Sequence, residues 1–174
     1  MKKKSVKKNL GKIITCVSIL FALVAFFMMF APAAVAEVLG KTQSYSGMDL
    51  AFGYVNKTDA LVGTVETRIF SASANILTYI LIAIGIVCAV VSLFGRGGKI
   101  LPFIAVASLI AAGVLYFLTI QLCAPYTKLE GDLKDEYIST IKEQLKLGAG
   151  AIVGGIFSVL AGVAALVPLF VKSK

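Results

Sequence analysis

The chain has 174 residues; 59% are hydrophobic and 15% charged, with 17 Lys and Arg against nine Asp and Glu, a formal net charge of +8, and no His or Trp. Ordinary soluble domains are about 45–50% apolar, so the balance excludes a disordered tail, a disulfide-rich secreted module and most soluble enzymes. It points to an all-α membrane protein, a four-helix transmembrane bundle with small extracytoplasmic loops.

Residues 1–12 form a basic tail carrying Lys2, Lys3, Lys4, Lys7, Lys8 and Lys12 and no acid. Residues 13–36 follow without a charge and are long enough to span a bilayer, which takes about 20 apolar residues. They also fit a secretory signal. Ala34-Val35-Ala36 before Glu37 is the small-x-small pattern that a signal peptidase accepts, with Ala34 and Ala36 as the candidate cleavage site. An apolar stretch of 18 residues exceeds the usual signal core of 7–15 residues. First span and cleaved signal both remain open.

Residues 37–72 form the first outer loop, net −1. Its segment 45–54 holds three aromatic residues and two glycines, the composition of a folded piece at the membrane interface, where Tyr is favoured. Asn56-Lys57-Thr58-Asp59 reads as a turn. Leu61, Val65 and Ile69 then recur every four residues, which fits either a strand or a helix. Asp59 could cap a helix, so the segment is expected to extend the second span upward.

Residues 73–94 and 100–123 are the second and third spans, joined by a hairpin at 95–99 that carries Arg96 and Lys99. Arg96-Gly97-Gly98-Lys99 lacks the spacing of a phosphate loop, and a tight turn with positive-inside charges accounts for it. Pro102 suits the first turn of a helix. Asn75, Thr78, Thr119 and Gln121 fall towards the outer ends of these spans and can form interhelical hydrogen bonds.

Residues 124–147 form the second outer loop, also net −1. Leu133, Tyr137, Ile141 and Leu145 repeat every four residues, with Ile138 beside them and Asp132 at a capping position. This predicts an amphipathic helix running without a break into the fourth span, residues 148–171. Its apolar stripe is expected to pack on the first loop, with a partner protein as the other use. Within the fourth span, Gly150, Gly154, Ser158 and Gly162 line one face and allow close helix packing, either inside the chain or between copies. Gly85 and Ala89, and Ala107 and Ala111, are the candidate partner faces. Pro168 is expected to kink or fray the helix end. Residues 172–174 close the chain with Lys172 and Lys174.

Basic residues collect in cytoplasmic segments beside spans. The two tails and the hairpin 95–99 hold ten Lys or Arg and no acid, so four spans put both termini in the cytoplasm and both long loops outside. The layout resembles the tetraspan architecture of claudin-like proteins, with cytoplasmic ends and a larger first outer loop. The Trp and Cys pair of the claudin first loop are absent, so the resemblance assigns no residue.

Chemistry is sparse. No acid or base falls inside a span, which disfavours an ion-coupled transporter or an embedded general acid–base enzyme. Without His there is no His-based triad or histidine metal site, and Cys16, Cys88 and Cys123 read as packing residues. No cofactor, metal or nucleic-acid partner is expected. The lysine tail can meet anionic membrane lipid, at about 1 kcal/mol per Lys near the surface. The function expected is that of a non-enzymatic multi-pass protein of a cell membrane, assembling with another membrane protein or with its own copies. The rival is an oligomeric pore. Lysine-for-arginine usage suggests a bacterial plasma membrane.

Overall fold

The structure is a computed structural model that describes residues 2–38, 41–60, 63–95, 98 and 100–170. Arg96, Lys99, Lys172 and Lys174 lie outside the described residues. The chain is mostly helical, with four helices long and apolar enough to cross a membrane, at Leu10–Phe30, Ile76–Leu93, Ile100–Phe117 and Ala149–Phe170. It is not all-α: two three-stranded sheets are also present. Two compact units result, a helical unit of residues 1–27, 77–116 and 153–174 and a mixed unit of residues 28–76 and 117–152.

The helical unit is built from α1 (Lys2–Phe27), α3 (Ile76–Leu93), α4 (Ile100–Phe117) and α7 (Ala149–Phe170). Beyond Lys12 its described surface is apolar. Ile13, Leu20, Val87 and Phe103 are each exposed, as lipid-facing side chains are and as side chains in water seldom are in such numbers. The interior is lined by small residues: Ala22, Ala25, Ala105, Ala112, Ala161 and Ala165 are buried. Pro168 does not end α7, which continues to Phe170. Pro102 sits at the third position of α4, where a missing N–H has no intrahelical partner to lose.

Close approach replaces side-chain bulk. Ser158 Oγ donates to the Leu109 carbonyl at 2.7 Å, and Ser18 Oγ to the Ala161 carbonyl at 2.7 Å. The rings of Phe21 and Phe157 meet edge-on at 5.5 Å. The phenol of Tyr116 reaches across to the Ala25 carbonyl at 2.6 Å.

The mixed unit begins where α1 stops. A 3-10 turn, Met28–Phe30, leads into β1 (Pro32–Val38), β2 (Lys41–Ser46), α2 (Gly47–Phe52), β3 (Tyr54–Ala60) and β4 (Gly63–Ser71). After α4 come α5 (Thr119–Leu122), β5 (Ala124–Pro125), α6 (Asp132–Gln144) and β6 (Leu145–Leu147). One sheet has the order β2-β1-β6 and the other β3-β4-β5. Every pairing among the described strands is antiparallel, including Ala34 with Leu147 and Phe70 with Pro125.

Four expectations are corrected here. Residues 32–36 are strand rather than span, because Pro32 disfavours helix before it and both edges of β1 find partners. The Asn56–Asp59 segment is no turn; it runs inside β3, paired with β4. Gly63–Ser71 is strand, not a helical extension, and Asp59 falls within β3 rather than at a helix start, while Leu61 lies outside the described residues. The outer helix is not continuous with the fourth span. It stops at Gln144, three residues pair with β1, and Gly148 N–H bonds the Ala33 carbonyl at 2.8 Å before α7 begins. Its N-cap is Gly131 at φ 65°, a left-handed conformation that suits glycine, with Asp132 one position inside.

Gly113 and Gly11 make a matched test of the close approach. A methyl added to Gly113 would lie 2.6 Å from Val159 Cγ2 and 3.1 Å from the Gly155 carbonyl oxygen, whereas Gly11 has nothing within 4 Å. Gly113→Ala is expected to cost about 1–3 kcal/mol of stability through overpacking. Gly11→Ala should be neutral or gain up to about 1 kcal/mol from lost unfolded-chain entropy. Unfolding in mixed detergent micelles reads both.

Candidate functional site

The sheet β2-β1-β6 is held by its middle strand. β1 carries Ala34 and Ala36, both buried, and pairs with β2 on one edge and β6 on the other. Small side chains allow α2 to pack on this sheet; α2 itself is fixed by a capping box in which Ser46 Oγ accepts from Asp49 N–H and the Asp49 carboxylate accepts from Ser46 N–H. The signal-peptidase pattern thus lies in the centre of a folded sheet. Glu37, next to it, pairs with Lys146 at 3.5 Å, an exposed contact of small energetic weight.

The other sheet meets the first through aromatic rings. Tyr45 of β2 lies edge-on to Phe70 of β4 at 4.9 Å and to Tyr54 of β3 at 5.7 Å. Gly53, at φ 98°, makes the turn into β3 close beside the Phe70 carbonyl. Burial, with a smaller contribution from Tyr54, raises the pKa of the Tyr45 phenol.

A cleft of about 440 Å³ opens between α6 and β5, lined among others by Ser71, Cys123, Tyr126, Lys134, Ile138 and Lys142. Lys142 Nζ donates to the Gln121 carbonyl at 2.7 Å, near the end of α5. The Arg68 guanidinium lies 5.7 Å from the centre of the Tyr126 ring. Burial pushes the Cys123 thiol up, against Lys142, which pulls it down.

Beyond the cleft, α6 has no buried residue. Leu133 is 64% exposed and Tyr137 39%, with Leu129 at 45% just before the helix. Among the described residues, the apolar stripe is therefore left open at Leu133 and in part at Tyr137, with Ile138 and Ile141 half-buried. Only its last member, Leu145, is buried, through the pairing of β6 with β1.

The four packing positions are all buried but meet different neighbours. Gly150 faces the backbone of Ala31 in the mixed unit, where a Cβ would come within 2.8 Å. Gly154 faces the Tyr116 ring, Ser158 bonds the Leu109 carbonyl, and Gly162 faces Ile110. Of the proposed partner faces, Gly85 and Ala89 are buried, with Leu109 and Ser108 over Gly85, whereas Ala107 and Ala111 are exposed. Asn75 Nδ2 donates to the Thr119 carbonyl at 3.2 Å in the mixed unit. Thr78 is buried in α3, and Gln121 is exposed. Of the basic topology residues, Lys12 is exposed near the start of the first apolar stretch, and Lys2, Lys3, Lys4, Lys7 and Lys8 lie along the first part of α1. Tyr116 was not singled out by sequence. A tyrosine within an apolar run was the available signal.

The Tyr45 phenol gives the mixed unit an alkaline limit. Its folded pKa is raised above the ordinary value of 10, so the neutral form is favoured by folding. That contribution is intact below pH 10 and is lost as pH rises through the folded pKa. Near-UV circular dichroism should stay flat to about pH 10 and then fall, and Tyr45→Phe should shift the fall to higher pH. An unchanged alkaline transition in the variant would assign it to another group.

No family model matches the chain, and no curated protein is similar to it.

Proposed function

We propose that this is a non-enzymatic integral membrane protein that binds another membrane protein through α6 of its mixed unit. It keeps all four spans, has both termini in the cytoplasm, and carries the mixed unit on the outer side of a bacterial plasma membrane. One observation carries the binding role: α6 is a charged helix whose apolar edge is exposed at Leu133, by 64%, and in part at Tyr137, by 39%. An exposed Leu and Tyr side by side at helical spacing match the anchors that helical interfaces use.

The orientation rests on the distribution of charge. The basic tails and hairpin fall on one side of an even number of spans, and all nine acids fall in the two long loops. Retention of the first span is supported by what its loss would remove. Cleavage after Ala36 would take most of β1, the middle strand of its sheet, and with it α1 and the Ser18 and Phe21 contacts to α7. The N-terminus of protein isolated from its membrane should therefore precede residue 37; a species beginning at Glu37 would contradict retention.

A pore draws little support from the helical unit. The buried hydroxyls of Ser18, Ser108, Ser158 and Tyr116 each donate to a backbone carbonyl rather than line an opening. A photocrosslinking side chain placed at Leu133 in native membranes is expected to give one discrete adduct with a different protein, lost on Tyr137→Asp. Purified protein in liposomes should hold a trapped dye. Dye leakage without such an adduct would favour the pore.

A further inference from the structure

We propose that the cleft between α6 and β5 is a binding site for a small phosphate- or carboxylate-bearing ligand. Lys134, Ile138 and Lys142 recur every four residues on α6 and all line it, opposite Pro125, Tyr126 and Thr127. Its volume of about 440 Å³ lies within the range of small-ligand sites, about 300–1,000 Å³. Charge sets the class of ligand. Lys142 is held by the Gln121 carbonyl, a neutral acceptor that fixes the ammonium in place and leaves its charge uncancelled. Among the described residues the ion pair is Lys146 with Glu37, so neither cleft lysine has a carboxylate partner.

Of the four acids in α6 before its last turn and the one within it, Asp132, Glu136 and Glu143 fall on the far side of the helix at 100° per residue, whereas Asp135 lies on the Lys142 side and offsets one of the two lysine charges. Arg68, stacked on the cleft-lining Tyr126, adds a third positive group nearby. The Thr127 hydroxyl accepts from Leu129 N–H at 3.1 Å and keeps its own proton to donate. An oxyanion in the cleft would accept charge-assisted hydrogen bonds from the lysines that line it, while Ile138, Ala124 and Pro125 offer an apolar wall for whatever carries it. Capping the end of α5 accounts for Lys142 alone; it leaves Lys134 unexplained.

The same anion could arrive as a lipid headgroup or as a soluble solute, and titration calorimetry separates the two. Full-length protein in phosphatidylcholine nanodiscs is titrated with dihexanoyl phosphatidate, dihexanoyl phosphatidylcholine and inorganic phosphate. Phosphatidate should bind and phosphatidylcholine should not. Phosphate binding at least as tightly as phosphatidate supports a soluble anion, and binding of phosphatidate alone supports a lipid. Lys134→Gln and Lys142→Gln should each weaken anion binding about tenfold, the loss of one charge-assisted hydrogen bond. Lys134→Gln has no structural bond to lose, so it keeps the test clean if Lys142→Gln disturbs α5. Equal affinity for both lipids, no heat with any anion, or undiminished binding by Lys134→Gln would overturn the proposal.

Discussion

The side chain of Tyr116 is buried among three other helices, and the helical unit is arranged around what that phenol requires. A tyrosine hydroxyl in apolar surroundings needs an acceptor; left without one it costs about 1–3 kcal/mol. Here the acceptor is the Ala25 carbonyl in the last turn of α1. The ring has room only because position 154 of α7 is glycine, where a Cβ would sit 2.7 Å from ring carbon. Its edge meets Tyr79 of α3 at 5.9 Å. One residue of α4 thereby touches α1, α3 and α7, and the glycine face of α7 is occupied within the chain.

That occupancy changes what the glycine stripe means. A row of small residues in an apolar helix fits intramolecular packing and self-association equally well when read alone. With Tyr116, Leu109 and Ile110 seated on positions 154, 158 and 162, the stripe is a requirement of one bundle. Gly150 obeys a different constraint, the backbone of Ala31 beside β1. Four residues that share a period therefore do not share a role.

The apolar helices were legible because hydropathy is local: three lie inside uncharged runs, and the first, Leu10–Phe30, holds a single charge at Lys12. The mixed unit was not, because each of its sheets is completed by a short strand, β6 or β5, from far along the chain. Ala33-Ala34-Val35-Ala36 has poor intrinsic strand preference, and becomes a strand by pairing with Ser44 and Gln43 on one side and Lys146 and Leu145, more than a hundred residues on, on the other. The same pairing interrupts what the i+4 pattern of 133–145 presents as a continuing helix. At the candidate sites, the periodicity located α6 but not which part of its stripe stays open. The cleft was invisible, since Lys134 and Lys142 look like an ordinary solvated face until Pro125 and Tyr126 are placed opposite them.

The bundle closes within a single chain that still includes α1, and the Ser18–Ala161 contact tests this most directly. With Cys16, Cys88 and Cys123 replaced by serine, Ser18→Cys and Ala161→Cys are introduced together and oxidised in native membranes. A disulfide within one chain, migrating as monomer, is the expected product, because both positions are fully buried where α1 meets α7 and Ser18 hydrogen-bonds the backbone of Ala161 itself. Crosslinking only between copies, or none at all in folded protein, would contradict it.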